Sequence, residues 1–279
     1  MKITVLSSGS SGNSTLIRTE NFNILVDLGV TKKTIVDALS EYSLSLNDIN
    51  YIFITHEHVD HIKSLCQIAK NAKSKIFISV GTFDAIMGFK TLKDTERELL
   101  RKKVYDGDII FYERIEGSIF YKSLDLGLLK VDVLPLFHDA NEPVGFIFNY
   151  NGKKFTYITD TGYVHEKLEP LILNSDCYML EANHDPSALM YSNRPYNLKI
   201  RILSDHGHLS NEDSMLILTK VMGEKTKLVL HAHVSKECNN SAIIELTRKN
   251  VFESYGMDVS NTRFVILKDS KSEEFSIWK

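Results

Sequence analysis

The segment Thr55-His56-Glu57-His58-Val59-Asp60-His61 contains three histidines and an aspartate within six residues. A short apolar run at residues 51–54 precedes it and is expected to be a buried strand, and a segment with helical character follows it. Three imidazoles crowded together disfavour their own protonation unless a cation organises them. The stretch therefore predicts a metal-binding segment between a strand and a helix.

The spacing within this stretch indicates how the ligands converge. In an extended segment, side chains two residues apart face the same way, so His56 and His58 are expected to meet at one metal. A turn at the start of the helix then brings Asp60 and His61 to the same centre. Imidazole nitrogen suits zinc and other borderline transition metals, and a carboxylate suits a harder or second metal. A mere surface cluster of histidines, or a set of satisfied core histidines, is the disfavoured alternative.

Further candidate ligands follow apolar strands later in the chain. They are His138 in LPLFHD, Asp160 in YITDTGY, and His231 and His233 in LVLHAHVS. Loops that follow strands are common positions for functional side chains. A site with two metals needs more ligands than one segment supplies, and these residues are the candidates for the remainder.

The rest of the chain predicts an α/β architecture. Two apolar strands flank Asn151-Gly152, a strong hairpin signal within residues 146–159. A helix is expected over residues 211–222 with Ser210 as its N-cap. Hairpins followed by α/β alternation recur in both halves, which suits sheets covered by helices on their outer faces. No linker-like stretch divides the chain, so we predict one domain over residues 1–279.

Composition excludes several classes of protein. The chain has 279 residues, 43% of them hydrophobic and 25% charged, and a net charge of -3. This balance does not by itself indicate nucleic-acid binding, although a local basic run at residues 90–103 could follow a phosphate backbone. Three cysteines far apart predict no disulfide framework and favour a reducing, cytoplasmic compartment. No signal peptide or membrane span is expected.

The series HxHxDH, His138, Asp160 and a terminal histidine resembles the metallo-β-lactamase superfamily over essentially the whole chain. The resemblance implies a four-layer αββα sandwich with the site at one edge between two sheets. It implies that His56, His58 and His138 bind one metal, that Asp60, His61 and the terminal histidine bind another, and that Asp160 bridges both. True β-lactamases generally carry a cysteine at one ligand position, so antibiotic hydrolysis is not expected.

The resemblance narrows to the YycJ/WalJ branch, whose members resemble DNA exonucleases. It rests on SSGSSGNS, THEHVDHIKS, TDTGY, LEANHD, LSDHGHLSNED and HVSKECN. His233 fits the HLS-like pattern of the terminal ligand better than His231, which is then a strand-end or supporting histidine. Ser64 and Val234 stand where the family often has Gly and Leu, and these changes predict shifted packing beside the ligands. The large inserted domain of RNase J and the long arm of RNase Z have no counterpart.

Two more histidines are candidates beside the ligands. His208, in Gly207-His208-Leu209-Ser210, resembles a nuclease-branch histidine that protonates a leaving oxygen, and imidazole titrates in the range this role needs. The alternative is a residue that only closes the turn before the Ser210 cap. His184 either lines the same cleft or is a residue of a helix start.

The expected reaction is metal-assisted hydrolysis of a phosphodiester, with DNA as substrate, by a bridging hydroxide on two divalent metals. Asp60 orients the hydroxide, and zinc, manganese and iron all suit such ligands. One alternative is a small-molecule phosphodiesterase or a glyoxalase II-type thioesterase. Another is a non-catalytic metal-binding protein or a diiron redox protein, but the diiron branch typically has Glu where His58 stands. The sequence leaves the oligomeric state open.

Overall fold

The computed structural model describes residues 1–277, which divide into two compact units. The first unit comprises residues 1–122, 140–144 and 269–277, and the second comprises residues 123–139 and 145–268. One seven-stranded sheet forms the core of each. The single domain expected over the whole chain stays a prediction, and its last two residues lie outside the described part.

The sheet of the first unit combines antiparallel and parallel pairing. Its strands are β1 (Lys2–Ser7), β2 (Ser14–Arg18), β3 (Asn23–Val26), β4 (Tyr51–Phe53), β5 (Lys75–Ile78), β6 (Ile109–Phe111) and, near the chain end, β14 (Glu274–Ser276). The order is β14-β1-β2-β3-β4-β5-β6. Strands β3 to β6 run parallel, so their carboxyl ends lie at one edge. The metal motif follows β4 at that edge.

Helices connect the parallel strands of the first unit, because a parallel pair needs a crossover connection. They are α1 (Lys32–Ser40), α2 (Val59–Ile62), α3 (Leu65–Ala69), α4 (Val80–Gly88) and α5 (Asp94–Tyr105), with a 3₁₀ turn at Leu46–Asp48. Ile35 and Leu39 of α1 are fully buried in the same apolar cluster as Leu25 of β3 and Ile52 of β4. This cluster holds the strand ends that carry the motif in place.

The second unit repeats the pattern. Its strands are β7 (Leu124–Leu126), β8 (Leu129–Pro135), β9 (Val144–Tyr150), β10 (Lys153–Ile158), β11 (Cys177–Glu181), β12 (Leu228–Ala232) and β13 (Arg263–Ile266), in the order β13-β12-β11-β10-β9-β8-β7. Strands β10 to β13 are parallel, which again places their carboxyl ends at one edge. Its helices are α6 (Glu169–Ile172), α7 (Pro186–Tyr191), α8 (Tyr196–Ile202), α9 (Asn211–Val221) and α10 (Ser241–Ser254), with a 3₁₀ turn at Glu166–Leu168.

The structure confirms the strongest local predictions. Asn151 and Gly152 both have positive φ, 48° and 73°, as a two-residue hairpin turn between β9 and β10 requires. Ser210 caps α9, its hydroxyl accepting from the Asp213 amide at 3.1 Å. The helical segment expected after the motif consists of two short helices, α2 and α3, which are separated at Lys63 and Ser64. No helix among residues 1–277 is long and apolar enough to cross a membrane.

Candidate metal centre

The histidine motif lies at the end of β4 and runs into α2. His58 is the N-cap of α2 with extended backbone (φ -60°, ψ 145°), so the chain turns into the helix directly after it. His56 and His61 are buried. Nε2 of His56 lies 3.0 Å from Nδ1 of His58, and His56 and His61 also offer ring nitrogens within 4.8 Å of each other. The first unit therefore brings its three motif imidazoles to one point.

A fully buried carboxylate, Asp27, orients His61. Asp27 follows β3 and accepts from Thr55 through its backbone N–H (2.9 Å) and its hydroxyl (2.8 Å). Its Oδ2 lies 2.7 Å from Nδ1 of His61, and this contact fixes the orientation of the imidazole ring. Burial raises the pKa of Asp27, and the adjacent His61 opposes that rise. Asp27 was not among the predicted site residues, although it directly follows an apolar strand, a common position for functional side chains.

The loop of small residues before β2, residues 8–13, contacts the motif through Asn13. The Asn13 side-chain nitrogen lies 3.0 Å from Nε2 of His61 and 3.2 Å from a carboxylate oxygen of Asp60. The Asn13 backbone N–H donates to the Asp60 carbonyl at 2.7 Å. The chain passes so close to Gly29 that a Cβ there would lie 1.6 Å from the Asp60 carbonyl oxygen. Only glycine fits this position.

The second unit gathers its own candidate ligands where parallel strands end. Asp160 follows β10, Glu181 ends β11, and His233 follows β12. Together with His208, each offers a ligand atom, and these atoms all lie within 4.8 Å of one another. Asp160 and His233 both have left-handed backbone, φ 55° and 52°, which is uncommon outside glycine and often marks functional sites. Oδ1 of Asp160 lies 3.3 Å from Nδ1 of His233.

Glu181 is the centre of this group and was not predicted from the sequence. Its Oε1 accepts from Nδ1 of His208 (2.7 Å) and Nδ1 of His233 (2.9 Å), and its Oε2 accepts from the Thr161 backbone N–H (3.0 Å). Burial alone would raise the pKa of Glu181, but the charge of His208, together with hydrogen bonds from both histidines, holds it at about 2. An ionised Glu181 thus fixes the orientation of both imidazoles through their Nδ1 atoms.

His138 follows β8, as predicted, and is held by a backbone carbonyl. Its Nδ1 donates to the Gly207 carbonyl at 3.0 Å, and its Nε2 lies 3.3 Å from Oδ1 of Asp139. Burial lowers the pKa of His138, with Asp160 opposing the shift. The neutral imidazole is the form that binds metals. Asp139 in turn pairs with Arg201.

The two histidines of LVLHAHVS occupy different environments. His233 lies beside Asp160 and Glu181. The His231 ring is fully buried and stacks on Phe264, with centroids 5.9 Å apart and planes 16° apart. Burial, reinforced by Arg248, lowers the pKa of His231 to about 3. The structure therefore brings His233, and not His231, into the ligand group.

His184 is also buried, and it supports the segment that carries His208. Its carbonyl accepts from the Asn211 backbone N–H at 2.9 Å, at the start of α9. Burial lowers the pKa of His184 to about 4. Neither of its ring nitrogens has a hydrogen-bond partner among the described residues. His184 is not among the grouped ligand atoms.

Each unit thus presents a mixed set of imidazole nitrogens and carboxylate oxygens. In His61, His138 and His233, Nδ1 is engaged by a buried acceptor, namely Asp27, the Gly207 carbonyl and Glu181. Such partners fix the ring orientation and tautomer of metal-binding histidines. The donor chemistry fits divalent zinc, manganese or iron.

Known proteins resemble the chain over most of its length. Residues 23–232 match the Beta-lactamase superfamily domain. Exodeoxyribonuclease WalJ of Streptococcus pneumoniae is 33% identical over 249 residues, covering 89% of this chain and 87% of that protein. Exodeoxyribonuclease YycJ of Bacillus anthracis is 31% identical over 259 residues, covering 93% and 92%.

Solved structures agree on the fold. The metallo-beta-lactamase fold protein YhfI from Bacillus subtilis matches with a TM-score of 0.64 at 15% identity, covering 98% of this chain and 99% of that one. At this identity the match concerns the fold alone. It confirms the predicted class, the αββα sandwich of the metallo-β-lactamase fold.

Proposed function

Since this chain belongs to the metallo-β-lactamase superfamily, in its WalJ/YycJ branch, we propose that it is a DNA exonuclease with two divalent metal ions. The hydrolase class follows from the family. DNA as the substrate is carried over from relatives named exodeoxyribonucleases that align with about nine-tenths of the chain. The observation that carries the proposal is the buried Glu181 carboxylate, which holds a candidate metal ligand and a candidate proton donor together.

We assign the ligands by the family pattern. One metal would be held by His56, His58 and His138, the other by Asp60, His61 and His233, with Asp160 as the bridge. Three of these histidines have Nδ1 held by a buried acceptor, and this supports the assignment because such partners commonly orient metal-binding histidines. When bound, the ions would polarise the phosphate and bring the pKa of water from about 15.7 toward 7.

The residues of this chain then supply proton transfer and orientation. The side chain of His208 is 19% exposed, so it reaches solvent while its Nδ1 stays bonded to Glu181. In this proposal His208 would be the general acid, and its Nε2 proton would pass to the leaving oxygen as the P–O bond breaks. His208 regains a proton from water. Asp60, a ligand held by Asn13, would orient the attacking water.

Metal content and nuclease activity test the proposal together. We expect about two equivalents of zinc or manganese per chain and cleavage of labelled single- or double-stranded DNA. His58→Ala should lose cleavage, whereas His165→Ala, a matched histidine outside the ligand group, should retain it. Two bound metals with no cleavage of any nucleic acid would replace the DNA substrate by a small phosphodiester or a thioester. Absence of bound metal would favour a non-catalytic protein, and a redox-active iron pair would favour the diiron class.

A cytoplasmic location is part of the proposal. All three cysteines, Cys66, Cys177 and Cys238, are free thiols. Burial raises the pKa of the Cys66 thiol to about 11, which keeps it protonated and unreactive. Free thiols of this kind fit a reducing compartment.

A further inference from the structure

An exposed patch of large apolar side chains lies on α7, on α8 and on the residue after α8. Its members, here called the tyrosine platform, are Met190, Tyr191, Tyr196, Ile200 and Leu203, which are 42%, 91%, 70%, 46% and 40% exposed. Single exposed apolar residues are ordinary, whereas a group of them on one surface is a candidate interaction site. The platform is not used by the mechanism described above.

The two helices form one surface. The Lys199 ammonium donates to the carbonyls of Met190 and Ser192, both at 2.7 Å, and so ties α8 to the end of α7. Leu198 and Ile202 point inward and pack with Leu189 and Cys238. Positions 196, 200 and 203 are spaced i, i+4, i+7 and so share the opposite face of α8.

Cations accompany the platform. Residues 186–206 contain the three cations Arg194, Lys199 and Arg201 and one carboxylate, Asp205. Arg194 pairs with Glu237 at 2.8 Å, and Arg201 with Asp139. Surface ion pairs of this kind contribute little, so phosphate oxygens can compete for the guanidinium groups.

The platform is joined directly to the candidate metal centre of the second unit. The Ile202 carbonyl at the end of α8 accepts from the His208 backbone N–H at 3.0 Å. Arg201 bonds to Asp139, whose carboxylate lies 3.3 Å from Nε2 of His138. A strand whose scissile phosphate lies at His208 would therefore extend onto α8 and α7.

We propose that the tyrosine platform binds single-stranded DNA next to the cleavage site, with bases stacked on Tyr191 and Tyr196 and phosphates near Arg194 and Arg201. This inference rests on the proposed exonuclease function and identifies a surface that would bind the DNA strand during cleavage. Stacking on tyrosine tolerates any base, which an enzyme that degrades successive nucleotides requires. A second copy of this chain would need only the apolar side chains, whereas the guanidinium groups of Arg194 and Arg201, held by exchangeable surface ion pairs, favour a polyanion.

The test compares tyrosine variants of the metal-loaded enzyme. The double variant Tyr191→Ala/Tyr196→Ala should raise KM for a labelled single-stranded oligonucleotide by about 10- to 100-fold. It should raise the Kd of the uncleavable phosphorothioate version of the same oligonucleotide by a similar factor. Tyr191→Trp/Tyr196→Trp should keep wild-type affinity, because indole stacks as well as phenol does. Tyr255→Ala is the control, since Tyr255 is also exposed, at 60%, but lies at the end of α10. It should leave both quantities unchanged.

The outcomes separate the two proposals. Wild-type affinity in the double alanine variant, with DNA cleavage intact, would overturn the platform and leave the exonuclease standing. A metal-loaded wild type that cleaves no DNA would overturn the exonuclease, while phosphorothioate binding would still decide the platform. Sedimentation that shows a dimer for the wild type and a monomer for the double variant, with equal DNA affinity, would assign the surface to contact between copies and overturn the proposal.

Discussion

Replacing His231 with phenylalanine should remove part of this protein's sensitivity to acid. The His231 ring is 0% exposed, stacks on Phe264, and has no hydrogen-bond partner for either nitrogen among the described residues. Burial lowers its pKa to about 3, and Arg248 adds to the effect. Phenylalanine keeps a planar ring of similar size against Phe264 but cannot take up a proton.

The magnitude follows from the difference between the folded and unfolded pKa values. Unfolded histidine titrates near about 6.5, so between that pH and about 3 the unfolded chain binds a proton that the folded chain does not. The free energy of unfolding is therefore not reduced by His231 above about pH 6.5, and it decreases as the pH falls below that value. A pH of about 5 lies roughly 1.5 pH units below the unfolded pKa, and each pH unit corresponds to about 1.4 kcal/mol. The free energy of unfolding should therefore be lower by about 2 kcal/mol at that pH.

Chemical unfolding measures this directly. The free energy of unfolding of wild type and His231→Phe would be compared at about pH 7 and pH 5, in chelator so that metal release does not contribute. The fall in stability between the two pH values should be about 2 kcal/mol smaller in the variant. His184 and Glu181 titrate in both proteins and cancel. An equal fall in both would refute the reasoning that His231 is held neutral by burial.

The remaining predictions concern the carboxylates and the close backbone contact of the candidate centre. Glu181→Gln should lower kcat about 10- to 100-fold, because the amide removes the charged acceptor that orients the rings of His208 and His233; an unchanged kcat would contradict the role given to Glu181. Asp27→Asn should weaken metal affinity about 10- to 100-fold, measured by competition with a chromogenic chelator, whereas unaltered affinity would show that Asp27 does not tune His61. Gly29→Ala should destabilise the fold by about 2 kcal/mol or more in urea unfolding, because the added Cβ meets the Asp60 carbonyl. Gly88→Ala, where nothing lies within 4 Å of the added carbon, is its control and should be close to neutral.

The metal motif could be predicted from the sequence because its information is local. Residues 55–61 contain both the ligand types and the spacing, and the apolar run before them predicts the strand that positions them. The same holds for the hairpin at Asn151-Gly152, where both residues tolerate the positive φ that the turn requires. Short elements such as β6, β7 and α4 were not predicted, since a few residues carry too little periodicity to indicate their type.

The supporting carboxylates could not be found in this way. Asp27 lies 34 residues before His61 in the chain, and Glu181 lies 52 residues before His233. Nothing near either residue in sequence indicates its partner, because the contact is made by the order and register of parallel strands. The charge state of Glu181 is likewise a consequence of two histidines that only the fold brings to it.

Local sequence could not determine which of His231 and His233 lies beside Glu181. Both residues follow from the sequence as candidates, and residues two apart on a strand share a face. The strand ends at Ala232, however, and His233 turns into left-handed backbone with φ 52°, which directs its ring toward Glu181 while His231 remains packed on Phe264. The sequence by itself determined the kinds of ligand and the strands that carry them. Tertiary structure decided which side chains meet, because contacts between distant segments depend on the packing and termination of strands and not on spacing along the chain.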